Sequence, residues 1–207
     1  MIKTVFFDFD GVLTLDPSGQ HTTCKYLSDH TGIPIDKLLE ANKLRIGPRN
    51  LGTDSYADRW DEFCGHAGKN VDFGLLREAF LSTAKNETMF ALVKDLKAHG
   101  YKTGIITDNN LERWDLLEKE WKLTELFDSI IVSSKVHLDK FTNGTKIFEK
   151  AAESLDINPD ETIFIDNGEK NVEMASSLGM HGYYYDEKEN DIEALISFLK
   201  SLGVKIA

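Results

Sequence analysis

The hydrophobic rhythm of the chain changes twice. It opens on an apolar run, with Ile2 and then Thr4-Val5-Phe6-Phe7, carried past Asp8 to Phe9. Such a run reads as a strand buried on both faces, as in a parallel sheet. After Leu13 comes a turn cluster, Asp16-Pro17-Ser18-Gly19, and the next sixty-odd residues contain no convincing strand. There the spacing predicts a helix over 21–31 closed by Gly32, and a second over 34–45 with Pro34 at its start and Gly47-Pro48 breaking it. A third, capped from Thr53-Asp54-Ser55, carries Tyr56, Trp60 and Phe63, and a fourth spans 73–84. From residue 87 helix and strand alternate. Helices are predicted over 89–99, 111–121, 147–155, 170–178 and 191–202. Strands are predicted over 101–107, 129–133, 162–166 and 181–185.

This alternation is that of an α/β fold with a doubly wound, Rossmann-like parallel sheet. Residues 1–15 and 86–207 form its core, and the helical block 16–85 is inserted after the first strand as a cap. A chain of 207 residues suits one domain carrying such an insertion. With 41% hydrophobic and 29% charged residues it can bury an ordinary core. A net charge of −11 argues against nucleic-acid and anionic-membrane partners. No apolar run reaches bilayer-spanning length, and the amino terminus lacks a signal-peptide pattern. Cys24 and Cys64 match no metal-ligand spacing and are expected as free thiols of a cytoplasmic protein.

The candidate chemistry lies where strands end. In open α/β sheets ligands bind outside the carboxyl ends of the strands. The first strand ends in Asp8 and Asp10, two residues apart and so directed to one side if the strand continues, with Gly11 permitting a sharp turn. Two crowded carboxylates are costly without a compensating cation, and Mg²⁺ is the natural hard partner. The second strand offers Thr107. The third offers Ser133-Ser134 followed by Lys135 and Lys140, and the fourth Asp166 and Asn167. A carboxylate pair, a hydroxyl, a lysine and a further carboxylate are what aspartyl-phosphate chemistry requires.

Phe7-Asp8-Phe9-Asp10-Gly11-Val12-Leu13-Thr14 resembles the first motif of the haloacid dehalogenase-like phosphohydrolases. Ile105-Ile106-Thr107-Asp108-Asn109 resembles their second motif. Phe164-Ile165-Asp166-Asn167, with Asn171 to Ala175 and Gly179 downstream, resembles their fourth. The third is the weakest: Lys140 has the best register, but the usual proline is absent, the loop is longer, and Lys146 is the fallback. The resemblance implies Asp8 as nucleophile, Asp10 as general acid/base, and Thr107 and Lys140 on the phosphoryl group. It also implies Mg²⁺ held by Asp8, the Asp10 carbonyl and Asp166, with Asn167 beside them, and a small α-helical cap.

Two positions depart from the pattern. Asp108 stands where many relatives have Asn, and either faces the site as an extra negative charge or turns away and offers only its backbone amide. Asn167 replaces the second member of an acidic pair, so the site loses charge while keeping an oxygen donor. Retention of Asp10 favours phosphoryl transfer over dehalogenation, because a leaving alkoxide must be protonated. The expected activity is Mg²⁺-dependent hydrolysis of small phosphomonoesters, sugar phosphates first. A phosphomutase using the same intermediate, or a non-catalytic binding relative, are the alternatives. In the cap, Arg45 and Arg49 flank Gly47-Pro48 and are candidates to grip an anionic substrate. His21 is read as a surface residue. Tyr56, Trp60 and Phe63 are read as cap core, and Tyr183-Tyr184-Tyr185 as the last strand.

Overall fold

In the computed structural model, which describes residues 1–206, five parallel strands form one sheet in the order β3-β2-β1-β4-β5. They are β1 (Thr4–Phe7), β2 (Lys102–Thr107), β3 (Ser129–Val132), β4 (Thr162–Asp166) and β5 (His181–Tyr184). β1 lies at the centre, with Thr4 opposite both Lys102 and Thr162. Its four residues are all buried, which is why its sequence is continuously apolar rather than alternating. Phe7 faces one layer with Ile105, Ile165 and Leu96, while Phe6 faces the other with Ile106, Phe164 and Phe148. Gly104 has no side chain because the Phe6 ring occupies that space: a Cβ there would fall 2.5 Å from the ring.

Between β1 and β2 the chain forms α1 (Gly19–Thr31), α2 (Ile35–Lys43), α3 (Ile46–Asn50), α4 (Tyr56–Ala67), α5 (Gly74–Leu81) and α6 (Glu87–Ala98). Of these, α1, α2, α4 and α5 pack around their own core, which includes Leu27, Leu38, Trp60, Phe63, Leu76 and Phe80. Ser18 caps α1 by accepting from the His21 N–H, and Gly32 ends it in the left-handed conformation. Ser55 caps α4 from within the expected Thr-Asp-Ser cluster. The segments leaving and re-entering the core run side by side, Leu15 N–H donating to the Ala84 carbonyl at 3.0 Å. The rest of the chain supplies α7 (Leu111–Trp121), α8 (Leu123–Leu126), α9 (Ser133–Val136), α10 (Lys146–Ser154), α11 (Glu169–Ser177) and α12 (Ile192–Ser201). Glu112 of α7 accepts from the Tyr56 and Ala57 N–H groups, so a core carboxylate sits on the amino end of α4 and docks the insert.

Three local expectations change. The helix foreseen over 34–45 stops at Lys43, and Gly47-Pro48 lies inside α3 rather than in a break. Proline is compatible there because the first turn of a helix has no acceptor for its missing N–H. Ser133 and Ser134 leave the third strand to form the one-turn α9. The last strand ends at Tyr184 instead of Tyr185, so the buried Tyr185 lies just beyond it. No helix among the described residues is long and apolar enough to cross a membrane.

Candidate active site

β1 stops at Phe7, and the Asp8 N–H still donates to the Ile165 carbonyl of β4 at 2.8 Å, which fixes Asp8 at the sheet edge. Residues Phe9–Leu13 then make a single wide turn, held by the Thr14 N–H on the Phe9 carbonyl at 3.0 Å. Gly11 has φ +78°, and a Cβ there would lie 2.1 Å from Asn167 Nδ2. Any side chain would therefore be strained and would displace Asn167. The turn sends the two aspartates to different partners.

Asp8 meets Lys140. The Lys140 Nζ lies 2.9 Å from Asp8 Oδ1 and 2.7 Å from Asp166 Oδ2, and its side chain is 2% exposed. Burial works against the lysine's charge, but Asp166, Asp8 and Asp108 outweigh it and hold the ammonium above its ordinary value. Burial and the nearby Asp166 push the Asp8 carboxyl well above the usual range, with Lys140 opposing them. Lys146, by contrast, is exposed at the start of α10.

Asp10 meets Arg113. The guanidinium grips the carboxylate with both terminal nitrogens, Nη2 to Oδ1 at 2.7 Å and Nη1 to Oδ2 at 2.8 Å. Asn109 Nδ2 adds a bond to Oδ2 at 3.1 Å. Sequence reasoning passed over Arg113, yet it shares a face of α7 with Trp114 and Leu117, all three buried. An arginine on an apolar stripe needs a partner, and that was the available signal.

Asp166 is fully buried, and its oxygens accept from Lys140, from Asn171 Nδ2 at 3.0 and 3.1 Å, and from the Gly168 N–H at 2.7 Å. Asp108 turns toward the site and accepts from the Lys140 backbone N–H at 3.1 Å. Burial raises its carboxyl above the ordinary value, with Lys140 opposing. Among the described residues, no three His, Cys, Asp or Glu side chains converge as a metal cluster. The Asp10 carboxylate is turned to Arg113 and that of Asp166 is occupied, for a physical reason in each case. Asp8, Asp10 and Asn167 all border the cavity and carry oxygen donors. An all-oxygen set of this kind suits a hard cation such as Mg²⁺.

These groups border a cavity of about 200 Å³ between sheet and insert, lined by Asp8, Asp10, Thr107, Asp108, Lys140 and Asn167 on the core side. Arg49, Asn50, Gln20, Asn42, Ile46 and Tyr56 line it from the insert. The two cap arginines separate. Arg49 is buried, donates to the Asn42 carbonyl at 2.6 Å and lies 4.2 Å over the Tyr56 ring. Arg45 is turned away from the cavity and is paired with Glu62 at 3.2 Å and with Asp54. His21 does not border the cavity, and its half-exposed ring lies 3.7 Å from Asp16. Trp60 and Phe63 are insert core as expected, while Tyr56 serves both core and cavity wall.

The chain is 26% identical over 88% of its length to a glyceraldehyde 3-phosphate phosphatase of Pyrococcus furiosus, of which it covers 82%. It is 24% identical to the bifunctional epoxide hydrolase 2 of Rattus norvegicus, covering 35% of that longer protein. Its fold matches that of a HAD family enzyme of Bacteroides thetaiotaomicron solved with magnesium and inorganic phosphate, with TM-score 0.75, 21% identity, and 94% and 99% of the two chains covered. The family model for haloacid dehalogenase-like hydrolases matches residues 2–179, and the chain belongs to that family.

Proposed function

We propose that this hydrolase is a Mg²⁺-dependent phosphatase of small phosphomonoesters, working through an aspartyl-phosphate on Asp8. The observation that carries the reading is the division of labour at the end of β1. Asp8 is held by Lys140 at the cavity floor, while Asp10, two residues on, is held separately by Arg113. The free oxygen of Asp8 attacks phosphorus as the bond to the ester oxygen breaks. Asp10 gives a proton to the departing alkoxide and then takes one from the water that hydrolyses the aspartyl-phosphate. Thr107 and Lys140 bind the non-bridging oxygens. Asp8, the Asp10 carbonyl and Asn167, with Asp166 behind them, are the residues that would hold Mg²⁺. Bound there, the ion supplies positive charge against the phosphoryl oxygens.

The insert serves as a cap that excludes bulk water and supplies substrate contacts. A cavity of about 200 Å³ admits a metabolite and not a macromolecule. Arg49 offers a cation, and Asn42, Asn50 and Gln20 offer amides that suit hydroxyl or carbonyl oxygens of a sugar-phosphate-like body. The relative named as a glyceraldehyde 3-phosphate phosphatase supports the same class.

Phosphate release from a panel of small phosphomonoesters, with and without Mg²⁺, tests this for the wild type and Asp8→Asn. Metal-dependent release that falls by at least about 10³-fold in the variant is the expected result. Folded wild-type protein that releases phosphate from no ester would count against hydrolysis. Interconversion of sugar phosphate isomers under those conditions would instead indicate a mutase.

A further inference from the structure

We propose that Arg113 is a positioning residue for the second half of the reaction, setting Asp10 to take the proton from the hydrolytic water. This rests on the phosphatase reading above. Asn110 caps α7 by accepting from the Arg113 N–H at 2.9 Å, which places Arg113 in the first turn of that helix, beneath Asp10. The side chain is 1% exposed, so its charge is tied to fixed partners rather than to water. Its Nε has no acceptor, which leaves all of its polar bonding at the terminal nitrogens.

Those nitrogens join three parts of the molecule. Two bonds fix the plane of the Asp10 carboxylate. Nη1 also donates to Asn109 Oδ1 at 3.1 Å, and Asn109 in turn donates to Asp10, closing a triangle. Nη2 donates to Thr83 Oγ1 at 3.2 Å, in the segment returning from the insert. On the outgoing side Gly19 lies against the guanidinium so closely that a Cβ would fall 2.4 Å from Nη1. Arg113 therefore holds Asp10 in register with both connections between insert and sheet. A carboxylate has about four acceptor sites. Arg113 and Asn109 take three at short range, while Thr14 Oγ1 at 3.4 Å makes only a long contact with Oδ1. Thr14 Oγ1 has the Asp16 carbonyl as a nearer acceptor at 3.1 Å for its single proton, which frees that site on Oδ1 for a proton from water. In that step the water oxygen bonds to phosphorus, the bond from phosphorus to Asp8 breaks, and the water proton passes to Asp10.

The test uses 4-nitrophenyl phosphate, whose leaving group departs without protonation, so that Asp10 is needed for hydrolysis of the aspartyl-phosphate alone. Lysine cannot reproduce the two-pronged grip. Arg113→Lys and Arg113→Met are therefore expected to give a burst of about one nitrophenolate per enzyme, followed by turnover roughly 10²-fold slower than wild type. Acid-quenched variant should carry one phosphoryl group by mass spectrometry. Gly19→Ala keeps Arg113 but forces its guanidinium to move, and should show the same burst with slowed turnover should the arginine variants fail to fold. Unchanged turnover, or burst and steady state falling together, overturns the inference while the phosphatase reading stands. Wild type inactive on this ester and on the phosphomonoester panel overturns both.

Discussion

The Asp108 carboxylate accepts from the Lys140 backbone N–H, at 3.1 Å from Oδ1 and 3.3 Å from Oδ2. An acid at this position thus pins the loop that carries the lysine, instead of only adding charge beside an anionic substrate. Asp108→Asn retains one acceptor and loses a charge that burial disfavours, so its stability should stay within about 1 kcal/mol of wild type. Asp108→Ala leaves the loop N–H without its acceptor and should cost about 1.5–3 kcal/mol. Urea unfolding of both variants checks the ordering. Equal losses would mean that the bond does not hold the loop.

Lys140 sits between two buried carboxylates, while Lys146 is exposed on α10. Removing the shared cation strands Asp8 and Asp166 together, and breaking a buried pair in this way costs about 3–5 kcal/mol. Lys140→Ala should lose that much in chemical denaturation and lose phosphate release with it. Lys146→Ala should stay within about 0.5 kcal/mol of wild type, as exposed substitutions usually do.

The strands were legible because a centrally buried parallel sheet leaves long apolar stretches, and β4 matches its expected span, Thr162–Asp166. The site at their ends followed from topology, since the carboxyl ends of neighbouring parallel strands meet at one edge. Side-chain partnership was not legible. Arg45 and Arg49 are indistinguishable in sequence, yet only Arg49 finds the Tyr56 ring and the Asn42 carbonyl, while Arg45 finds Glu62. Arg113 was missed because a charged residue in a helix is ordinarily solvated. Its burial depends on Asp10, 103 positions earlier in the chain.

Asn167 borders the cavity, donates weakly to the Pro17 carbonyl at 3.3 Å, and offers an uncharged oxygen where a carboxylate would add a negative charge. Cation affinity at oxygen sites rises with ligand charge. Asn167→Asp should therefore bind Mg²⁺ more tightly, on the order of tenfold, by calorimetry in the absence of substrate. Chelation of Mg²⁺ should abolish phosphate release in both proteins. Equal affinities would place Asn167 outside the metal's ligands.

Cys24 is 1% exposed inside the insert, and burial pushes its thiol up to about 12, with Asn42 and Arg49 pulling the other way. The unfolded thiol ionises near its ordinary value of 9.0, so above that pH the unfolded state gives up a proton that the folded state keeps. Folding stability contributed by this group is thus intact below pH ~9 and declines as pH rises toward ~12, by about 1.4 kcal/mol per pH unit. Tyr56, raised to about 12 by the same burial, drifts in the same direction, so the wild type alone would not isolate the thiol. The stability difference between wild type and Cys24→Ala does isolate it. Measured by urea unfolding, that difference should move by about 1.4 kcal/mol against the wild type between pH 8 and pH 10. At pH 8 the native thiol should also resist aromatic disulfide reagents that label it readily once the chain is unfolded. A pH-independent difference together with rapid native labelling would mean that the insert opens around Cys24 far more often than its packing implies.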